Sequence, residues 1–160
     1  MKHFMKACRV ASAVALAIGS ATLPTSAQTL PECGGIAGST ATEGATEVKS
    51  KSYANGKINL TLLDAGGPSH GPLYVRVEWP RVDTASRETC RVLGFEDGVG
   101  FAMIEFDAIA AAYDPAKGLT LSVPTLFVLP EASFSNTMLV HMTINQATGE
   151  ISTETELGNN

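Results

Sequence analysis

The sequence is poor in the residues from which metal and catalytic sites are most often built. It holds three cysteines and three histidines in 160 residues, with no C-x-x-C pair, no H-E-x-x-H motif and no EF-hand spacing. Basic residues are also few, 11 against 16 acidic ones. An acidic chain without a basic run is a poor candidate for binding nucleic acid or an anionic membrane surface. We therefore expect no metal, no cofactor and no nucleic-acid partner.

Long hydrophobic runs are also missing. The longest, at 10–23, is too short and too interrupted by polar residues to span a membrane. It follows three basic residues and precedes the small residues T-S-A at 25–27, which is the pattern of a secretory signal peptide with its cleavage site. We predict that residues 1–27 are removed and that the mature chain starts near Gln28. The protein is then periplasmic or secreted, with no membrane insertion after cleavage.

Removal of this segment leaves 133 residues, with eight basic and sixteen acidic side chains and a net charge of −8. A chain of this length suits one domain with one core. Of the cysteines, Cys33 and Cys90 remain, and two cysteines in an oxidising compartment most simply pair with each other. Their spacing matches no zinc pattern. A disulfide across this long loop would stabilise the fold by about 4 kcal/mol.

The mature chain divides by composition into an arm and a domain. The run G-G-I-A-G-S-T-A-T-E-G-A-T-E at 34–47 is small and polar and lacks aromatic residues, so it cannot bury enough apolar surface to fold alone. We interpret residues 28–47 as a flexible arm pinned by Cys33. The β-rich domain is expected at 48–157.

Along this domain apolar and polar residues alternate, which is the period of half-buried strands. The segments I-N-L-T-L at 58–62 and L-Y-V-R-V-E-W at 73–79 show it best. Asn-Gly at 55–56, E-D-G at 96–98 and N-Q-A-T-G-E at 145–150 predict hairpin turns. The pattern indicates an all-β fold of about eight short antiparallel strands, either a β-sandwich or a small barrel.

Two segments depart from this pattern. The alanine-rich D-A-I-A-A-A-Y-D at 107–114 predicts one or two helical turns, capped by its first aspartate and stopped by Asp114-Pro115. Pro124 and Pro130 bracket T-L-F-V-L. Because proline cannot donate to a strand ladder, they favour an edge strand or strand ends.

Catalytic candidates are few. Ser69 and His70 adjoin in G-G-P-S-H-G-P at 66–72, but neighbours on an extended chain point apart, and no G-x-S-x-G or S-x-x-K motif accompanies them. A glycine- and proline-rich strand connection explains this loop without chemistry. We therefore assign no catalytic residue.

Paired carboxylates could in principle hydrolyse a glycosidic bond, since that chemistry requires two acids at a set separation. Glu78, Glu105 and Asp107 lie on or beside strands, and His70 or His141 could assist them. Glu78 and Glu105 occupy the faces opposite the apolar stripes, where charged residues are ordinarily solvated.

Four apolar residues fall on faces opposite the expected core: Phe101, Met103, Phe127 and Leu129. A two-sided core, as in the centre of a sandwich, would bury them. Otherwise they form a surface for a partner or mark an edge strand open to pairing.

The residues single out no family. We interpret the chain as a small exported, disulfide-stapled β domain that binds an unknown protein or small-molecule ligand without catalysis. Two alternatives stay open. One is a small exported hydrolase or metal-assisted enzyme, and the other is a protease inhibitor that presents the 64–72 loop, whose proline and glycines suit rigid display.

Overall fold

The computed structural model describes residues 30–35, 38–39, 42–66, 71–80, 88–96 and 98–158. Within these ranges the protein is all-β, as predicted. The strands are β1 (Thr46–Tyr53), β2 (Ile58–Asp64), β3 (Leu73–Pro80), β4 (Glu88–Leu93), β5 (Met103–Ile104), β6 (Ala110–Asp114), β7 (Gly118–Leu129), β8 (Phe134–Asn145) and β9 (Glu150–Leu157). Two short 3-10 turns span Phe106–Ala108 and Pro130–Ala132.

The strands form two antiparallel sheets. The first has the order β1-β2-β3-β4. In the second, β7 is central, with β8 and then β9 on one side and the short strands β5 and β6 on the other. The inner faces share one apolar core, so the architecture is a β-sandwich.

The alternation seen in the sequence places every second residue of each long strand in this core. On β3, Val75, Val77 and Trp79 are buried inward, while Arg76 and Glu78 are partly exposed on the other face. The remaining core side chains from the long strands follow the same period: Ile58, Leu60, Leu62, Leu119, Leu121, Val123, Phe127, Met138, Val140, Met142 and Ile144.

The first predicted hairpin is present. Strands β1 and β2 pair antiparallel through a turn in which Ala54, Asn55 and Gly56 all have positive φ. Glycine and asparagine tolerate this left-handed conformation best, which is why Asn-Gly marks such turns.

The hairpin predicted at 96–98 is a smaller feature than expected. Glu96 and Val99 form a local bridge, but the flanking strands β4 and β5 belong to different sheets. The segment therefore carries the chain from one sheet to the other. Phe101 lies in this crossover, where it exchanges backbone hydrogen bonds with Leu73 at the start of β3.

The helix predicted at 107–114 is wrong over most of its length. One 3-10 turn forms at Phe106–Ala108, and residues 110–114 then form β6. A tight turn explains the difference, because the Asp114 carboxylate accepts the backbone N–H groups of Ala116 and Lys117. The chain thereby folds back so that β6 pairs with β7. Tertiary pairing overrides the helix propensity of alanine.

Pro124 was predicted to mark an edge or an end, but it lies within the central strand β7. Its carbonyl accepts the N–H of Glu105. Because the nitrogen and the carbonyl of one strand residue point to the same side, the Pro124 nitrogen faces the gap that separates β5 from β6 alongside β7. The ladder requires no donor there. Pro130 does end the strand, as predicted.

The predicted arm is anchored on the first sheet. A disulfide joins Cys33 to Cys90, with a Cα–Cα distance of 5.5 Å. Beside it, the N–H of Cys33 donates to Cys90 and the N–H of Val92 donates to Pro31. Residues 31–33 thus extend the first sheet past β4. Further along the arm, Ala45 packs on the outer face of this sheet.

Candidate functional site

Two of the four residues predicted as a partner surface are in the core. Phe101 is fully buried and Phe127 is 5% exposed. Phe95, which the crossover at 94–101 brings between the sheets, stacks on Phe127 and packs at a tilt against Phe101. Phe101 lies in that crossover, outside the regular pleat on which its outward direction was predicted, whereas Phe127 follows the inward period of β7. Leu129 is partly buried against the core, whereas Met103 is 41% exposed.

The outer face of the first sheet is largely closed by its own side chains and by the arm. Leu63, Tyr74 and Val92 form a second apolar cluster with Cys33 and Ala45 of the arm against it. The Tyr74 hydroxyl donates to the Gly98 carbonyl, and burial raises the pKa of this phenol.

Charge pairing occupies the other end of this face. The Arg76 guanidinium lies 2.5 Å from the Glu47 carboxylate and 3.5 Å from that of Glu78. Glu78, considered above as a hydrolytic acid, is therefore engaged with a neighbour on its own sheet.

The outer face of the second sheet is open by comparison. Its central residues on β7 and β8 are only partly buried, and the described residues form no second apolar cluster over it. Cross-strand register sets its rows: Ser122, His141 and Glu154 lie side by side, and Pro124, Leu139 and Glu156 form the next row. We call this surface the open face.

A groove of about 300 Å³ lies on the open face and around its end. Its apolar lining includes Met103, Pro124, Leu139 and Leu157, and its two carboxylates are Glu105 and Glu156. No lysine, arginine or histidine is among the described residues that line it. An apolar floor between two carboxylates suits a cationic side chain with an aliphatic stem.

Beside the groove, three strands bring together a serine, a histidine and a glutamate. Ser122 Oγ lies 2.9 Å from His141 Nδ1, and His141 Nε2 lies 3.5 Å from Glu156 Oε1. This order of groups is that of a nucleophile, a base and an orienting acid. Sequence analysis missed it, because strand register rather than spacing along the chain makes Ser122 and His141 neighbours.

The acids considered for hydrolysis are not brought together. Glu105 lies at the groove, and Asp107 pairs with Lys49 of β1, which reaches across from the first sheet. That lysine lowers the pKa of the Asp107 carboxyl by hydrogen bonding and by its charge. Ser69 and His70 lie outside the described residues, so their candidacy is untested.

Within the described ranges, no group of three or more histidine, cysteine, aspartate or glutamate side chains is placed to hold a metal ion. Over the same ranges, no helix is long and apolar enough to cross a membrane.

The fold and the disulfide define a small, disulfide-stabilised all-β sandwich. Comparison with known proteins adds no name to this class: no family model, no curated protein and no solved structure matches the chain.

Proposed function

We propose that this protein is an exported binding module whose partner docks on the open face. The observation that supports this most is the difference between the two outer faces: one carries an apolar cluster backed by the arm, and the other leaves apolar and polar side chains in solvent. An accessible apolar groove rimmed by polar groups is typical of an interaction site.

The groove favours a protein partner with a basic segment. A lysine or arginine could lay its aliphatic stem on Met103 and Leu139 and its charged head between Glu105 and Glu156. The predicted mature net charge of −8 would steer such a partner toward the protein. Binding should accordingly weaken as salt is raised.

Export is part of this proposal. The Cys33–Cys90 disulfide supports an oxidising compartment, and the residues that carry the signal-peptide prediction, 1–27, lie outside the described ranges. Intact mass of the protein recovered from the periplasm or medium should correspond to a chain that starts near Gln28. Recovery of the uncleaved chain from the cytoplasm would contradict export.

The test of binding is affinity capture from an envelope extract at two salt concentrations. The bait is the protein expressed from the 160-residue sequence, with its disulfide oxidised. A discrete partner should be captured, and less of it at high salt. Capture should fall on Met103→Glu and on Glu156→Lys. Val48→Ala is the matched control, since Val48 is a similarly exposed apolar residue on the other sheet. An empty capture, or equal capture by all variants, would contradict a docking site here.

A second candidate function is a serine-type hydrolase, favoured by the Ser122–His141–Glu156 chain. Ser122 Oγ would attack an ester carbonyl while His141 Nδ1 takes its proton, and the ester C–O bond would then break as the leaving alcohol takes that proton from His141. The backbone disfavours it. At Ser122, β7 is paired on both sides, with β6 and with β8, so strand N–H groups there are committed to the ladders and do not form an oxyanion hole.

Labelling with a fluorophosphonate separates the two candidates. A hydrolase would be labelled at Ser122, and the label would be lost in Ser122→Ala and reduced in His141→Gln. A binding module should give no covalent adduct, and both variants should leave capture of its partner close to wild type.

A further inference from the structure

Edge strands expose unpaired backbone groups, and proteins ordinarily protect them. Four edge strands of this sandwich carry such protection. Residues 31–33 pair along β4. Strand β1 has a bulge between Glu47 and Lys49 and directs lysines inward, both of which discourage a further strand. Strand β9 carries Glu150, Glu154 and Glu156, and β5 is two residues long.

Strand β6 has none of these devices. Its sequence is A-A-A-Y-D, with no charge before Asp114, no proline and no bulge in its register with β7. All five residues are exposed, and Tyr113 is 66% exposed. Ile109, buried just ahead of the strand, and the Asp114 turn behind it hold β6 in place. A pre-ordered edge loses little conformational freedom when another strand is added.

We propose that β6 pairs antiparallel with β6 of a second copy of this chain, which joins the two second sheets into one continuous sheet. A two-fold axis through Ala112 places Ala111 of each copy opposite Tyr113 of the other. It places Ala110 opposite Asp114, so no like charges face each other directly. Each aromatic ring then covers a methyl group, an aromatic–small pair that fits without a clash.

Charge at the two ends of β6 is compatible with this occupant. Lys49 and Lys51 both contact the Phe106–Ala108 turn that leads into β6, where Lys49 pairs with Asp107. At the other end, the backbone N–H groups of the Asp114 turn and the charge of Lys117 lower the pKa of the Asp114 carboxyl. Two-fold antiparallel pairing directs the lysine-bearing turn of each copy toward the end of the other copy that carries Asp114.

Sedimentation equilibrium over a range of protein concentrations tests this, with the disulfide-intact protein expressed from the 160-residue sequence. Wild type should form a reversible dimer. Ala112→Lys and Ala112→Glu should each weaken dimerisation roughly tenfold or more, since each variant sets like charges opposite each other at the axis. An equimolar mixture of the two variants should restore the dimer, because lysine then faces glutamate.

Ser152→Lys on β9 is the matched control, an added charge at an exposed position of another edge strand, and it should leave the dimer intact. A protein that is monomeric at every concentration would overturn the proposal. This holds even if its β6 edge instead binds an extended segment of another protein. So would a dimer that Ser152→Lys breaks and Ala112→Lys does not. The groove variants Met103→Glu and Glu156→Lys should dimerise like wild type, which keeps this test separate from that of the binding function.

Discussion

The two sheets of this sandwich share one core but differ on their outer faces. The first sheet places Leu63, Tyr74 and Val92 outward, and the disulfide-held arm packs against them. The second sheet places Leu126 and Leu139 outward beside serine, threonine and histidine, and these side chains are partly exposed. The same strand period thus produces a nearly closed face on one sheet and an open face on the other.

The difference shows what the disulfide does in a domain of this size. Its sulfur atoms hold the arm at β4, 57 residues away in sequence. The arm in turn adds residues 31–33 to the sheet edge and packs Ala45 on the outer face. Small domains bury a modest share of their surface, so an apolar layer outside the main core adds appreciably to stability.

Removal of the disulfide should have the largest effect on stability, because it releases the arm from the first sheet. In the double variant Cys33→Ser/Cys90→Ser, the free energy of unfolding should fall by about 4 kcal/mol, since the unfolded chain gains the entropy of an open loop. Urea titration measures this. Wild type unfolded in the presence of reductant should match the variant. Equal stability of oxidised protein and double variant would show that the arm holds without its covalent link.

Matched leucine truncations on the two outer faces should give the next largest effect. Leu63 is 1% exposed, and Leu63→Ala should cost about 3 kcal/mol, because it leaves a cavity beneath the arm. Leu126→Ala, at a partly exposed position on the open face, should cost about 1 kcal/mol or less. Urea midpoints with unchanged m-values provide the measurement.

Combining these leucine variants with the disulfide variant sharpens the result. If the arm is what buries Leu63, then Leu63→Ala should cost less once the disulfide is gone, while Leu126→Ala should cost the same in both backgrounds. Equal costs for the two leucines in the oxidised protein would contradict the distinction between a closed and an open face.

Much of the fold could be predicted from the sequence because it depends on local pattern. Strict alternation in β2 and β3 identified their core residues, and Asn55-Gly56 identified the first hairpin, since both are properties of consecutive residues. The pairing of Cys33 with Cys90 followed from their number and from the predicted export. Whether the strands made a sandwich or a barrel did not follow, because that depends on which strands pair.

The errors arose where contacts distant in sequence decide the structure. The alanines of β6 favour helix in isolation, yet β7 offers them a ladder. Pro124 is tolerated in a central strand because the 3-10 turn beside it separates β5 from β6, so no neighbouring strand requires a donor from Pro124 there. Phe101 is buried because the crossover takes it out of the pleat.

The candidate site shows the same limit more sharply. Its apolar groove joins residues of four strands, and Ser122 meets His141 through a register of β7 with β8 that no local pattern specifies. Met103 is the one residue of the predicted partner surface that lines this groove. A search for serine and histidine at equivalent places in two adjacent strands is the signal that could have suggested the pair.

The smallest expected effect concerns the ion pair that links the two sheets at the β1 edge, Lys49 with Asp107. Lys49 lowers the pKa of the Asp107 carboxyl from its ordinary value of 3.8, so the ionised form is favoured in the folded state. The stabilisation is therefore fully present above that value and is lost as pH falls through the lowered one. Stability of wild type and Asp107→Asn should differ slightly at neutral pH and converge in acid.

Lys49→Gln should show the same convergence. The control is Glu131→Gln, which replaces an exposed acid in the Pro130–Ala132 turn and should follow wild type throughout. Thermal unfolding between neutral pH and acid measures it. A difference that persists unchanged in acid would show that this contact acts through packing rather than charge.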